Sequence, residues 1–176
     1  MSALAILYLI LPFPIAFVIH DAEEILIQSR WIRKHRETIT RKFPRRKRLI
    51  NHLVQLGSKA FGIAALEELL LILVVTGYVL MQGRFALELW SALFMAFSFH
   101  LLGHIGISIM ISRYTPGLIT SVLLLPYACH GLWSIWLVMN AGEMIVLGMA
   151  GLLLMILNLI FAHWLGLKVC KILHLR

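Results

Sequence analysis

The segment His20-Asp21-Ala22-Glu23-Glu24 places one imidazole and three carboxylates inside a run of otherwise apolar residues. On a helix His20, Glu23 and Glu24 stand at i, i+3 and i+4 and fall within an arc of about 100°, so they can converge on one point, with Asp21 at the flank. A later apolar run carries His100 and His104, also at i and i+4, and two imidazoles one turn apart make half of a metal site. Glu67 and Glu68 occupy a third run beside the small residues Gly57, Ala60 and Ala64, which let helices approach closely. One of these two glutamates should face the first helix, and the spacing does not choose between them. Nitrogen and oxygen donors without sulfur suit a divalent Zn, Fe or Mn.

Five of the eight acidic residues fall in apolar runs. Each costs about 2.5 to 3.5 kcal/mol at the centre of a spanning helix, so mutual neutralisation is required, and a shared cation supplies it most directly. The alternative is a metal-free cluster in which carboxylic acids and imidazoles pair with one another and perform acid–base chemistry. His130 shares a face with Thr120, Tyr127 and Ser134 next to Pro126 and reads as a supporting residue. Asn158 shares a face with Gly151 and Ala162, whereas His163 lies about 140° away and reads as interfacial. Cys129 and Cys170 have no ligand spacing and read as packing residues.

The elements that hold these residues are membrane spans. In 176 residues, 61% are hydrophobic and 14% charged, and the mean hydropathy is +0.91, whereas a soluble domain is about 25% charged. A span needs about 20 apolar residues. Five runs reach that length, near 3–27, 53–81, 86–111, 118–139 and 144–168, separated by short turns and by a basic loop, 28–52. The fold class is therefore an all-α polytopic transmembrane bundle forming one unit over 1–176. Ten of the sixteen Lys and Arg residues lie between Arg30 and Arg48, which locates the +8 charge in one loop and argues against nucleic-acid binding. An excess of basic residues marks the cytoplasmic side. The N-terminus is then outside, and Lys168, Lys171 and Arg176 place the C-terminus in the cytoplasm. The loop reads as a solvated segment drawn to anionic headgroups. The first run lacks the basic start and the small-residue cleavage site of a signal peptide, and its Pro12 and Pro14 predict a break or kink. Counting 1.5 Å per residue from the helix ends places the His/Glu site in the cytoplasmic half.

His20-Asp21-Ala22-Glu23-Glu24 in a Pro-containing first span, followed by His100-Leu101-Leu102-Gly103-His104 and, ten residues on, Tyr114-Thr115-Pro116-Gly117, resembles the HXXEE-domain family of small bacterial membrane proteins over most of the chain. His100 stands where that family's pattern would place Asn. The resemblance implies a membrane-embedded, metal-dependent enzyme in a bacterial cytoplasmic membrane, with His104 and Tyr114 among its site residues.

The motif also differs by one residue from the inverted zinc-protease pattern HxxEH, with Glu24 in the place of the second His. By that analogy His20, Glu24 and His104 are metal ligands and Glu23 is the catalytic base acting on water; the spacing of the other polar residues adds His100, Glu67 and Glu68 as candidate ligands. The leading expectation is a hydrolase acting on a lipid or other amphiphile. A transporter of metal ions or protons would need polar residues leading to both faces, and the outer halves of the spans have almost none. A haem-binding electron carrier would use His104 and His130 as axial ligands and would leave the carboxylates without a task.

Overall fold

The computed structural model describes residues 6–174, and all regular structure among them is helical. A π-helical turn, Ile6–Ile10, leads into α1 (Pro12–Lys42), and the short α2 (Lys47–Gln55) follows after a 3-10 turn at Pro44–Arg46. Four long helices complete the chain: α3 (Ser58–Leu80), α4 (Ala86–Ile111), α5 (Leu118–Trp136) and α6 (Ala141–Ile172). These last four are long and apolar enough to cross a membrane, and the protein is an integral membrane protein. The fifth expected span, the N-terminal one, is helical as well but carries Asp21, Glu23 and Glu24 and runs on into basic sequence. Residues 3–5 of that span and Arg176 lie outside the described residues.

The prolines of the first span stand at a break in helix type: the π-helical turn Ile6–Ile10 ends and, after Leu11, α1 begins. Pro12 is the first residue of α1, where the missing N–H would have had no partner in any case. Tyr127 donates its hydroxyl to the carbonyl of Leu9 at 2.6 Å, across the junction with the π-helical turn.

The basic segment expected as a loop is helical too. Arg and Lys are good helix formers, and α1 continues through them for a total of 31 residues, about 46 Å, well beyond the ~30 Å of a bilayer core. The chain then folds back through α2, whose Ile50 packs on Ile32 and Ile39 of α1, while Arg45, Arg46, Lys47 and Arg48 stay exposed.

Close backbone contact sets the positions of the long helices. A Cβ on Gly151 would meet the Ala92 carbonyl oxygen at 2.2 Å, and one on Gly166 would meet the Ala60 carbonyl oxygen at 2.1 Å. α6 is thereby seated against α4 and α3, a small-residue contact suited to lipid, where helices gain little from burying apolar surface. α1 is fastened to α4 by aromatic rings: Phe13 lies 5.4 Å from both Phe94 and Phe97, and Phe17 lies 6.4 Å from Phe97. Along the same two faces the next side chains are His20, His100 and His104.

Candidate metal centre

His20 continues the α1–α4 contact, its ring edge-on to Phe97 at 6.0 Å, and it meets the two histidines of α4 at ring distances of 5.1 Å for His100 and 4.9 Å for His104. One turn further along α1, Glu24 places its oxygens 3.5 Å from His104 Nε2 and 3.7 Å from His100 Nε2. The two Nε2 atoms are 3.0 Å apart. One donor atom from each of His20, Glu24, His100 and His104 lies within 4.8 Å of all the others, so the group could hold a metal ion. In a tetrahedral site with bonds near 2.0 to 2.1 Å, neighbouring ligand atoms stand about 3.3 Å apart. The observed 3.0, 3.5 and 3.7 Å separations among Glu24, His100 and His104 bracket that value, and the His20 donor lies within 4.8 Å of each, so the residue types and their convergence fit a cation.

Hydrogen bonds at the far side of the rings decide which nitrogens face inward. His104 Nδ1 lies 2.9 Å from the carbonyl oxygen of Pro116; a carbonyl can only accept, so Nδ1 carries the proton and Nε2 is left as a bare acceptor. His20 Nδ1 lies 3.0 Å from Thr120 Oγ1, and that hydroxyl already gives its single proton to Glu23 Oε2 at 2.6 Å. His20 must therefore donate from Nδ1. Its Nε2 is then a free lone pair, and this buried atom has no hydrogen-bond partner among the described residues. Metal-ligating histidines typically show this arrangement, with one ring nitrogen held by a protein acceptor and the other turned to the ion.

The segment between α4 and α5, with the first turn of α5, supplies these anchors. Pro116 provides the carbonyl, and Gly117, at φ +83°, leaves room for the His104 ring, since a Cβ there would lie 2.6 Å from Nδ1. Tyr114 donates its hydroxyl to Glu23 Oε1 at 2.6 Å. Burial and this hydrogen bond hold the Tyr114 phenol above its ordinary pKa, so it stays a donor. Ser108 and Thr115 bond through their hydroxyls and tie the turn back to α4.

Glu23 takes a different place from the expected catalytic base. Its Oε1 accepts from Tyr114 and from the Ile119 N–H at 3.4 Å; its Oε2 accepts from the Thr120 N–H at 2.8 Å and from the Thr120 hydroxyl. A carboxylate has about four acceptor positions, and all are filled. Glu23 binds the free N–H groups at the start of α5, where the helix dipole also favours a negative charge. Within one motif, then, His20 and Glu24 turn to the cluster while Glu23 fixes the helix that orients His20. Thr120 and Pro116 were not among the expected site residues; a hydroxyl residue at the start of a helix after a Tyr-x-Pro-Gly turn was the available signal.

Beside the cluster is a polar chamber of about 330 Å³, lined by Asp21, Glu24, Glu68, His100, His104 and His163 among others. It adjoins an apolar groove of about 610 Å³ between α3, α4 and α6, and Glu68, His100, Met155 and Leu159 line both. Glu68 is thus the glutamate that faces the site. Glu67 instead accepts from Asn158 Nδ2 at 3.1 Å and stands outside the four-residue group. Asp21 is buried against the chamber with no hydrogen-bond partner among the described residues.

His130 is exposed on α5, away from the cluster to which His104 is committed, so the pairing required for axial haem ligation is not formed. His163, expected at the interface, lines the chamber and lies 3.4 Å from His52 of α2. The separation of 140° around α6 keeps it apart from Asn158, but α2 and α3 extend far enough to meet both residues.

A family model described as a protein of unknown function with an HXXEE motif matches residues 11–130. The matched stretch takes in His20, Glu24, His100, His104 and the whole anchoring turn, and ends before α6. No curated protein and no solved structure matches the chain.

Proposed function

The chain belongs to the family of proteins of unknown function that carry an HXXEE motif, and from the site built on that motif we propose that it is a membrane-embedded, metal-dependent hydrolase of a lipid or other amphiphile. The observation that carries the reading is the convergence of His20, Glu24, His100 and His104, with His20 and His104 held in the tautomer that presents Nε2. These four residues would hold a divalent Zn, Fe or Mn, whose Lewis acidity polarises a carbonyl or phosphoryl oxygen. The chain's own part is to fix the donors before substrate arrives and to hold them between packed helices, where electrostatic effects are stronger than in water.

The amphiphile rests on the groove. Phe13, Phe17, Leu71, Ile72, Val75 and Phe97 give it apolar walls, and Val74 and Leu154, both more than half exposed, lie at its lipid-facing edge. A lipid tail can enter sideways there while its polar end reaches His100. Glu68 and His100 are the groove's ionisable lining residues, which favours a binding pocket over an ion path continuing to the opposite face. The site lies toward the basic end of the bundle; the positive-inside rule supports reading that end as the cytoplasmic face, and a bacterial inner membrane is part of the same proposal.

Elemental analysis of the purified protein tests the metal. Near-stoichiometric Zn, Fe or Mn is expected in the wild type, with loss in His20→Ala and Glu24→Gln. Equal content in all three proteins rejects these ligands, and the absence of metal from all of them returns the cluster to metal-free acid–base chemistry.

A further inference from the structure

The chamber holds more carboxyl groups than the proposed centre uses. Asp21, Glu24 and Glu68 all line it. Of these, Glu24 alone belongs to the four converging donors. Glu24 is engaged with His100 and His104. Asp21, only 6% exposed, has no hydrogen-bond partner among the described residues, and neither has Glu68. A buried carboxylate without a donor costs several kcal/mol unless it is protonated or paired, so Asp21, with the half-buried Glu68 beside the same chamber, calls for a ligand that brings donors or positive charge.

The place where that ligand would sit is set by the two cavities. Glu68 stands at the threshold where the chamber opens into the groove, beside His100, and the groove runs from there along α4 as far as Leu89, a distance of about 16 Å at 1.5 Å per residue. Its lining is apolar apart from Glu68, His100 and Asn158. An apolar groove ending on carboxyl groups that no hydrogen-bond donor meets among the described residues suits a molecule with a hydrocarbon chain and a cationic end. An anionic head would meet Glu68 and Asp21 as like charges. The exposed arginines and lysines of the α1–α2 hairpin carry the opposite sign and stand on the surface, so attraction of anionic lipid there and selection inside the chamber are separate steps.

We infer that the groove and chamber together bind a single-chain amphiphile with an amine head, its tail along α4 and its ammonium between Glu68 and Asp21. That this ligand is a substrate rests on the hydrolase reading; that an amine is bound does not.

Binding can be measured on the protein in phosphatidylcholine nanodiscs, with empty nanodiscs as the partition control, using dodecylamine, dodecanol, dodecanoate and butylamine as probes. Metal-loaded wild type should bind dodecylamine at least ten-fold more tightly than dodecanol or dodecanoate, and butylamine at least ten-fold more weakly than dodecylamine. Asp21→Asn/Glu68→Gln should lose the preference for the amine while binding dodecanol as before, and its unchanged metal content would show that the site is still built. Single Asp21→Asn and Glu68→Gln proteins cover the case in which the double variant does not fold. Dodecanoate bound as tightly as dodecylamine, or an amine preference that survives in the variants, would overturn the inference. An amine preference in a wild type that takes up no metal would uphold it while removing the metal reading.

Discussion

Two groups of histidines occur in this bundle, and they differ in what stands behind the rings. His20, His100 and His104 gather around Glu24 in the interior, where Thr120 and the Pro116 carbonyl fix the rings of His20 and His104 from the far side. His52 and His163 meet at 3.4 Å where α2 packs on α6, with Phe61 alongside, and neither ring bonds a carboxylate among the described residues. Each group contains a buried Nε2 without a hydrogen-bond partner, one on His20 and one on His163. An unpartnered nitrogen is therefore not what distinguishes a metal centre. The distinction is a set of converging donors whose outer atoms are already occupied.

Removing one ring from each group breaks the comparison most directly. In His104→Ala the metal affinity should fall by more than the ~100-fold that loss of an outer partner alone can cause, whereas His163→Ala should keep its metal. Titration of the purified proteins against a competing chelator reads both. A His163→Ala protein that loses its metal alongside His104→Ala would make the two groups one site and would end the distinction.

Glu23 sharpens the comparison, because it touches no ligand atom of the cluster and acts through Thr120. In Glu23→Gln one side-chain oxygen becomes an NH₂ group that faces donors, and the loss should be about 10- to 100-fold in metal affinity together with roughly 1 to 3 kcal/mol of stability from the unsatisfied N–H and hydroxyl groups at the start of α5. Tyr114→Phe removes one of the four bonds and should show the same pattern at smaller size. If Glu23 were instead a catalytic base, Glu23→Gln would keep its metal and its melting temperature and lose only turnover.

Gly117→Ala should lie below Glu23→Gln. The backbone there is in the left-handed region, which costs an alanine about 1 to 2 kcal/mol, and the new methyl displaces the His104 ring from the Pro116 carbonyl. The metal affinity should fall about 10-fold, with His104 still present, and the chelator titration that reads His104→Ala detects it.

What the amino-acid pattern disclosed follows the same division. Apolar run length gave Ala86–Ile111 as a single helix, and the i, i+3, i+4 spacing was enough to put His20 and Glu24 on one face and His100 with His104 on another. The choice between Glu67 and Glu68 depended on the rotation of α3 against α6, set by the contact of Gly166 with the Ala60 carbonyl, which no spacing within α3 encodes. Glu23 was placed by its shared face alone; helical periodicity reports which residues share a face but not which neighbour each one meets, and the start of α5, ninety-odd residues later, binds this carboxylate. The basic segment looked like a loop because charge was read as exposure, and exposure is compatible with a helix that has left the bilayer.

The smallest effect expected is at His52. Its contact with His163 is long for a hydrogen bond and partly exposed, so its loss should cost no more than about 0.5 to 1 kcal/mol, visible as a small decrease in melting temperature with the metal content unchanged. That outcome has a structural consequence. His163 lines the chamber beside Glu24, and α2 reaches it only because the chain turns back after α1, so His52→Ala asks whether the basic hairpin is mechanically coupled to the centre or merely rests on it. A drop in metal affinity comparable to that of Glu23→Gln would mean that α2 helps to build the site, and the second group of histidines would then belong with the residues that hold the first in place.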